Sequence, residues 1–434
     1  MKENVFGSLI MQDGDAAISG VSVRALADQY GTPLYIYDEN TLTSTMDAYM
    51  DEFRSDEFET RVVYATKAFN CKAMLKLCDA HGLYCDAVSL GEIYTAKRAG
   101  IDLSKIYFHG NNKTAFELNR AFEYGVGTII VDSKEEAEKL VSVAKDHPET
   151  SMRTLIRVNP LIEAHTHKHI QTAAPDSKFG IPIMMKERLL ETIAILQSAD
   201  NIHFAGLHCH IGSQLFELEP YIKAVEELAD LALDLESSLS SSIEEIDLGG
   251  GFGVWYTDAD TPNPIALTCK TILDACNTVF KEKGITPKIV TIEPGRSIVA
   301  EAGYLLYTVT MIKQSLKDKF YFVDGGMSDL IRPALYQAEY TADLIGDSAN
   351  EEKELVTIGG KCCESGDIVI RDIMLPPAKE GDLLLIYSAG AYGYAMASNY
   401  NKQPLPGVVF VKDGQTRLVI RPQTLDEMIE RECD

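Results

Sequence analysis

The sequence predicts a (β/α)8 barrel of the TIM type, an α/β fold, joined to an all-β domain, and three observations carry that prediction. Eight short β-branched runs alternate with longer helical patterns between residues 61 and 293. The first four runs begin at residues 61, 83, 105 and 128, a repeat that suits a strand, a loop, a helix and a return loop. Beyond Ala300 the texture changes to strands punctuated by Gly, Asp and Pro turns.

The runs, in order, are RVVYA (61–65), LYCDA (83–87), KIYFH (105–109), TIIVD (128–132), TLIRV (154–158), HFAGLH (203–208), IEEID (243–247) and KIVTIE (288–293). The intervening segments SLGEIYTAKRAG and SKEEAEKLVSVAKDH open on Ser89 and Ser133, with Glu92 and Glu136 three residues later, a helix-start signal. Eight such units close into a barrel, although an open doubly wound sheet would show the same periodicity. After the barrel come YLLYTVTMI, KFYFVDGG, ELVTIGG, DIVIRDIML, DLLLIYSAG, GVVFVKDG and TRLVIRP. The opening segment is expected to join these strands, because the two ends of a domain commonly lie close together. The expected division is a barrel over 34–299 and a β-sandwich or β-barrel-like domain over 1–33 and 300–434.

Composition narrows the function. Of 434 residues, 46% are hydrophobic and 24% charged, and no apolar run approaches the roughly 18 residues that cross a bilayer. The formal charge of −25 disfavours nucleic acid and anionic lipid as partners, so an anionic ligand needs a local cationic site. The weak apolar start, soon followed by Asp13 and Asp15, does not read as a targeting peptide, and a cytoplasmic location is expected. Nine scattered cysteines without a CxxC pair argue against a disulfide framework or a zinc ribbon. Cys71 and Cys78, like Cys269 and Cys276, are spaced seven apart and read as buried helix stripes. The alternating histidines of HTHKH (165–169) follow VNP and lack a fixed acidic or cysteine companion nearby, and no metal is expected there.

Chemistry in a (β/α)8 barrel sits at the C-terminal ends of its strands. The polar residues at those ends are Lys67, Asp86, His109, Asp132, Arg157 with Asn159, and His208 with His210. Gly249, Gly250 and Gly251 follow strand seven, and Glu293, Gly295 and Arg296 follow strand eight. The glycines of DLGGGFG let backbone N–H groups approach an anion, and EPGR adds amides and a guanidinium where this fold tends to hold phosphate. No GxGxxG dinucleotide signature is present. Lys67 is then either a point-charge binder or an imine-forming amine made reactive by desolvation. An amine, two anion loops and a carboxylate at Glu293 match the aldehyde, phosphate and ring nitrogen of pyridoxal phosphate.

These residues lie in a series of ordered motifs: YATKAFN, AHTHKHIQT, DSKFG, HCHIGSQ, DLGGGFG, EPGRSIVAEAG, SDLIRPALY, CCESGD and GAYGYAMASNYN. Over almost its entire length the sequence resembles the pyridoxal-phosphate decarboxylases built on an alanine-racemase-like barrel. The resemblance implies that Lys67 bonds to the cofactor aldehyde and that His210 stacks on its ring. It implies that Glu293 pairs with the ring nitrogen, and that Asp86, Ser213, Gly249–Gly251, Pro294, Gly295, Arg296 and Tyr392 complete the cofactor site. Arg296, Arg332, Tyr336, Glu364 and Tyr392 would contact substrate, and Cys363 would return the proton from the neighbouring subunit of a homodimer. The implied reaction converts meso-diaminopimelate to L-lysine and carbon dioxide, with ornithine, arginine or lysine as rival substrates and a non-catalytic regulator as a further alternative. A distal carboxylate and ammonium on the substrate would call for a cation and an anion, which Arg332 and Glu364 supply. The family usually has a proline and an aliphatic residue before the cysteine of CES, where this chain has Lys361 and Cys362.

Overall fold

The structure is a computed structural model that describes residues 6–12, 14–162, 177–239, 242–348 and 351–433. The HTHKH stretch, the AHTHKHIQT motif and most of the 160–180 loop lie outside the described residues. The chain forms two compact units: Met46–Gly253 with Pro262–Gly295, and Met1–Thr45 with Val254–Thr261 and Arg296–Asp434.

In the first unit, all eight runs become strands: β1 (Glu59–Tyr64), β2 (Tyr84–Ala87), β3 (Ile106–Phe108), β4 (Thr128–Val131), β5 (Met152–Asn159), β6 (Ile202–Cys209), β7 (Glu245–Asp247) and β8 (Ile289–Ile292). Each pairs in parallel with the next, and β8 returns to β1 from Ile289↔Glu59 to Ile292↔Val62. That last ladder closes the ring and excludes the open sheet. Val63, Tyr107, Ile130, Leu155 and Ala205 pack together as a buried cluster contributed by several strands.

Among the described residues seven α-helices connect the strands: α1 (Lys72–Ala80), α2 (Leu90–Ala99), α3 (Ala115–Tyr124), α4 (Lys134–Ala144), α5 (Lys186–Gln197), α6 (Glu219–Leu239) and α7 (Ile265–Lys283). Ser89 and Ser133 cap α2 and α4 as expected, accepting from the N–H groups of Glu92 and Glu136 at 3.3 and 3.2 Å. Thr114 and Glu117 form the full reciprocal box on α3. Cys71 is the cap of α1 rather than part of its stripe.

Glu136 turns inward because a buried cation needs it. Lys113, after β3, donates to Gly110 O, Ile130 O and Glu136 Oε1 at 2.8, 2.7 and 2.6 Å, and both side chains are buried. Lys113→Met should strand the Glu136 carboxylate and lower the unfolding free energy by about 3–5 kcal/mol in urea titration. Lys113→Met with Glu136→Leu should recover most of that loss; a single variant within about 1 kcal/mol of the parent (roughly fivefold in the unfolding constant) would show that the pair is not holding the loop.

The second unit is built on a twisted sheet in the order Ile368–Leu375, Glu354–Gly359, Lys319–Val323, Gly303–Gln314, Leu34–Asp38, Gly407–Lys412 and Gln415–Ile420. Leu383–Ile386 also pairs with Gly303–Gln314 and with Ala342–Ile345. Leu34–Asp38, buried at every position, lies between Gly303–Gln314 and Gly407–Lys412. It is thus a strand of the β unit, and the boundary falls near residue 46 instead of 34. The segment 254–261 joins the same unit because Trp255 packs into its core, edge-on to Phe6 at 5.5 Å. Among the described residues no helix is long and apolar enough to cross a membrane.

Candidate active site

Lys67 stands on a three-residue helical turn, Thr66–Ala68, just after β1. Two bonds fix that turn: Ala65 N donates to Pro294 O at 3.0 Å, and Thr66 N donates to Asp86 Oδ1 at 2.6 Å. Thr66 and Ala68 are buried, while Lys67 itself is exposed. The expectation that the fold desolvates this amine is therefore corrected, because the buried sides of the turn are taken by its neighbours. Asp86 ends β2, and burial pushes its carboxyl up against the opposing pull of Lys67 and His109.

Glu293 follows β8 directly and is 8% exposed. His109, just after β3, reaches Glu293 Oε1 through Nε2 at 2.7 Å, and His208 on β6 reaches Oε2 at 3.2 Å. The two rings meet edge-on with centroids 4.9 Å apart. Burial would raise the Glu293 carboxyl, but the two imidazoles outweigh it and hold the group well below the usual carboxylate range. Burial also pushes His208 down to about 4, so at neutral pH it donates as a neutral ring to an ionised carboxylate. Asp247 at the end of β7 goes the other way: burial, Glu293 and Glu245 push its carboxyl well up. The two neighbouring carboxyls are thus pushed in opposite directions.

The same three ligand-bearing side chains, His109, His208 and Glu293, lie close enough to hold a metal ion. Their mutual hydrogen bonds already give each of them a partner.

His210, beyond β6, is half-buried, and burial with the charges of Lys67 and Arg157 holds its ring well below the ordinary imidazole value. Ser213 is half-buried in the same loop. The glycines after β7 are there for close approach: a Cβ on Gly250 would stand 2.0 Å from Glu293 O, and Gly251 adopts φ +104° with Gly212 O 2.2 Å from any Cβ. The loops after β6 and β7 are joined by Leu215 N to Gly251 O and Gly253 N to Leu215 O, both 2.9 Å. Gly295 would place a Cβ 2.6 Å from that of Ala65, so the turns after β8 and β1 are in contact. Backbone amides on glycine, a buried carboxylate and an amine fit the phosphate, ring nitrogen and aldehyde of pyridoxal phosphate.

In the β unit, Arg296 Nη1 donates to Tyr256 OH at 2.6 Å, and its guanidinium lies 4.9 Å from the ring of Tyr392, a residue at φ +58°. Arg332 Nη1 donates to Tyr340 OH. Tyr336, on the same short helix Arg332–Tyr336, is half-buried. Cys363 and Glu364 are exposed, and Glu364 Oε1 accepts from Gly366 N at 3.3 Å. The structure does not join Arg332 to Glu364: no ion pair between them occurs among the described residues.

The loop before Cys363 is organised by Asp367, whose carboxylate accepts from Met327 N and Cys362 N, both at 2.6 Å. Lys361 N donates to Gly325 O at 2.9 Å, a bond that proline at this position could not make.

Sequence reasoning placed His109 and His208 at strand ends without a role, and missed Asp247 and Tyr256. The shared signal for the histidines was their strand-end position in a closed ring, where β3, β6 and β8 converge. Asp247 carried only its place before the glycines, and Tyr256 carried no signal.

Residues 40–300 match the family described as pyridoxal-dependent decarboxylase, pyridoxal binding domain. The chain is 43% identical over 423 residues to a diaminopimelate decarboxylase of Staphylococcus aureus, covering 96% of this chain and 97% of that one. It is 42% identical over 422 residues to the Bacillus subtilis protein of the same name, covering 96% and 95%. Its fold is similar to the crystal structure of diaminopimelate decarboxylase from M. jannaschii in co-complex with L-lysine, with a TM-score of 0.92 and 32% identity over 99% of this chain and 98% of that one.

Proposed function

The chain belongs to the pyridoxal-dependent decarboxylases, and on that premise we propose that it removes carbon dioxide from the D-configured centre of meso-diaminopimelate, giving L-lysine. The observation that carries the reading is the buried, ionised Glu293 carboxylate gripped by two imidazoles, since an aromatic ring nitrogen stays protonated beside such a group. Pyridoxal phosphate, when bound, supplies an aldehyde for amines and a ring that draws off the electron pair left by carbon dioxide.

The residues divide the remaining work. Lys67 Nζ would hold the cofactor through its aldehyde carbon, and its side chain is exposed. Asp86 fixes the Lys67 turn through Thr66 N. His210, kept neutral, can lie against a cationic ring without charge repulsion. The N–H groups of Gly249–Gly251, Gly295 and Arg296, with Ser213 and Tyr392, would hold the phosphate, and Pro294 O accepts from Ala65 N. Cys363 hands a proton from its thiol to the α-carbon, and its exposed loop suits delivery to a neighbouring subunit of a cytoplasmic homodimer. Arg332 takes the distal carboxylate and Glu364 the distal ammonium, with Arg296, Tyr336 and Tyr392 as further substrate contacts.

Meso-diaminopimelate, lysine, ornithine and arginine, each given with added pyridoxal phosphate, should yield gas from the first alone. Gas from ornithine or arginine instead, or racemisation without gas, would overturn the assignment. Arg332→Ala should lower kcat/KM for diaminopimelate by roughly 100-fold or more, the scale of a desolvated guanidinium–carboxylate contact. Unchanged kinetics would remove the case for a distal carboxylate.

A further inference from the structure

Tyr256 belongs to the β unit and lies against both arginines that the proposed function assigns to substrate. Its hydroxyl accepts from Arg296 Nη1 at 2.6 Å. The Arg332 guanidinium carbon stands 5.0 Å from its ring centroid. Tyr340 meets that ring edge-on at 5.4 Å and accepts from Arg332 Nη1 through its own hydroxyl. All four side chains are buried, at 6% exposure for Tyr256, 7% for Arg296, 6% for Arg332 and 4% for Tyr340.

The backbone around Tyr256 is fixed on both sides. Tyr256 N and Thr257 N donate to Asp260 Oδ2, each at 2.9 Å, and Thr341 Oγ1 donates to Tyr256 O at 2.7 Å. The ring therefore has little freedom to follow the arginines; they must conform to it.

Two guanidiniums in one water-poor volume repel each other. A carboxylate between them would relieve the repulsion, but it would also occupy donors that an anionic substrate uses. A phenol does less: it offers one oxygen to one fork and a π face to the other. Among the described residues no carboxylate lies within ion-pair distance of Arg332. Burial would raise the Tyr256 phenol, yet Arg296 and Arg332 outweigh it and hold the group below its ordinary value. The phenol oxygen meets Arg296 and the ring face meets Arg332, and neither brings a carboxylate's full charge beside the guanidiniums.

We infer that Tyr256 is a positioning residue for substrate recognition, which sets the spacing and direction of Arg296 and Arg332 toward the two carboxylates of a dicarboxylic amino acid. The inference rests on the proposed function, and its test separates the two. Tyr256→Phe keeps the ring and removes the oxygen; Tyr256→Leu removes both. With meso-diaminopimelate and the holoenzyme, Tyr256→Phe should raise KM at least 10-fold while kcat stays within about 3-fold and the cofactor absorbance is unchanged; Tyr256→Leu should raise KM further. An unmoved KM, or equal losses in kcat and kcat/KM, would overturn the inference. Pimelate, a dicarboxylate of the same chain length without amines, gives a readout independent of turnover. Calorimetry should show it binding the parent and at least 10-fold more weakly to Tyr256→Phe. A parent that releases no carbon dioxide from diaminopimelate sinks the functional reading alone; pimelate binding that is equal in parent and variant, or absent from both, sinks the role of Tyr256.

Discussion

Lys67→Ala should abolish turnover, with kcat falling by on the order of 10⁴-fold or more, while the thermal midpoint stays where it was. The two halves of that expectation come from the same turn. Thr66 and Ala68 carry its buried contacts, and Ala65 N and Thr66 N carry its hydrogen bonds. Lys67 is exposed, and an exposed side chain removed from a fixed turn changes stability by only about 0.5 kcal/mol. Borohydride reduction of the parent holoenzyme should fix the cofactor to the peptide containing Lys67, and the variant should show no such adduct. Attachment to another lysine would assign the chemistry elsewhere. No adduct in the parent would favour a non-catalytic regulator.

Cys363→Ala should lower kcat by roughly 10²–10⁴-fold, the usual contribution of a positioned proton donor, and Cys362→Ala should leave kcat within a few-fold. Two vicinal thiols left the choice open, and burial separates them. Cys362 is buried, its N–H is bound to Asp367, and burial together with the Asp367 charge pushes its thiol up. Cys363 is exposed, with its backbone N–H bound to Asn401 Oδ1 at 2.7 Å. A thiol that gives and regains a proton each cycle needs access to solvent or substrate, which only the second has. Loss of activity in Cys362→Ala with activity retained in Cys363→Ala would reverse the assignment.

The barrel was legible because each of its units is local. A β-branched run, a capped helix and a turn can be recognised within about twenty residues, and all eight runs became ring strands. Lys67, Glu293 and the glycines were legible for the same reason, since a strand end is a position in the sequence. The contacts that give Glu293 its charge were not, because His109 is 184 residues away and His208 is 85 residues away. Periodicity reports which face a residue occupies and is silent on which distant strand it meets. The strand at 34–38 shows this from the other side: its pattern is that of a buried parallel strand, and only pairing decides which sheet it enters.

By itself the sequence determined the eightfold alternation, the placement of an amine, a carboxylate and two glycine loops at strand ends, and the motifs of the family. Tertiary structure alone decided the closure of β8 on β1, the grip of two imidazoles on Glu293, the exposure of Lys67 and Cys363, and the place of Tyr256 against two arginines. The physical reason is range: hydrogen-bond and burial preferences act along a few neighbouring residues, whereas the charge state of a buried group is set by whatever the fold brings within a few ångströms of it.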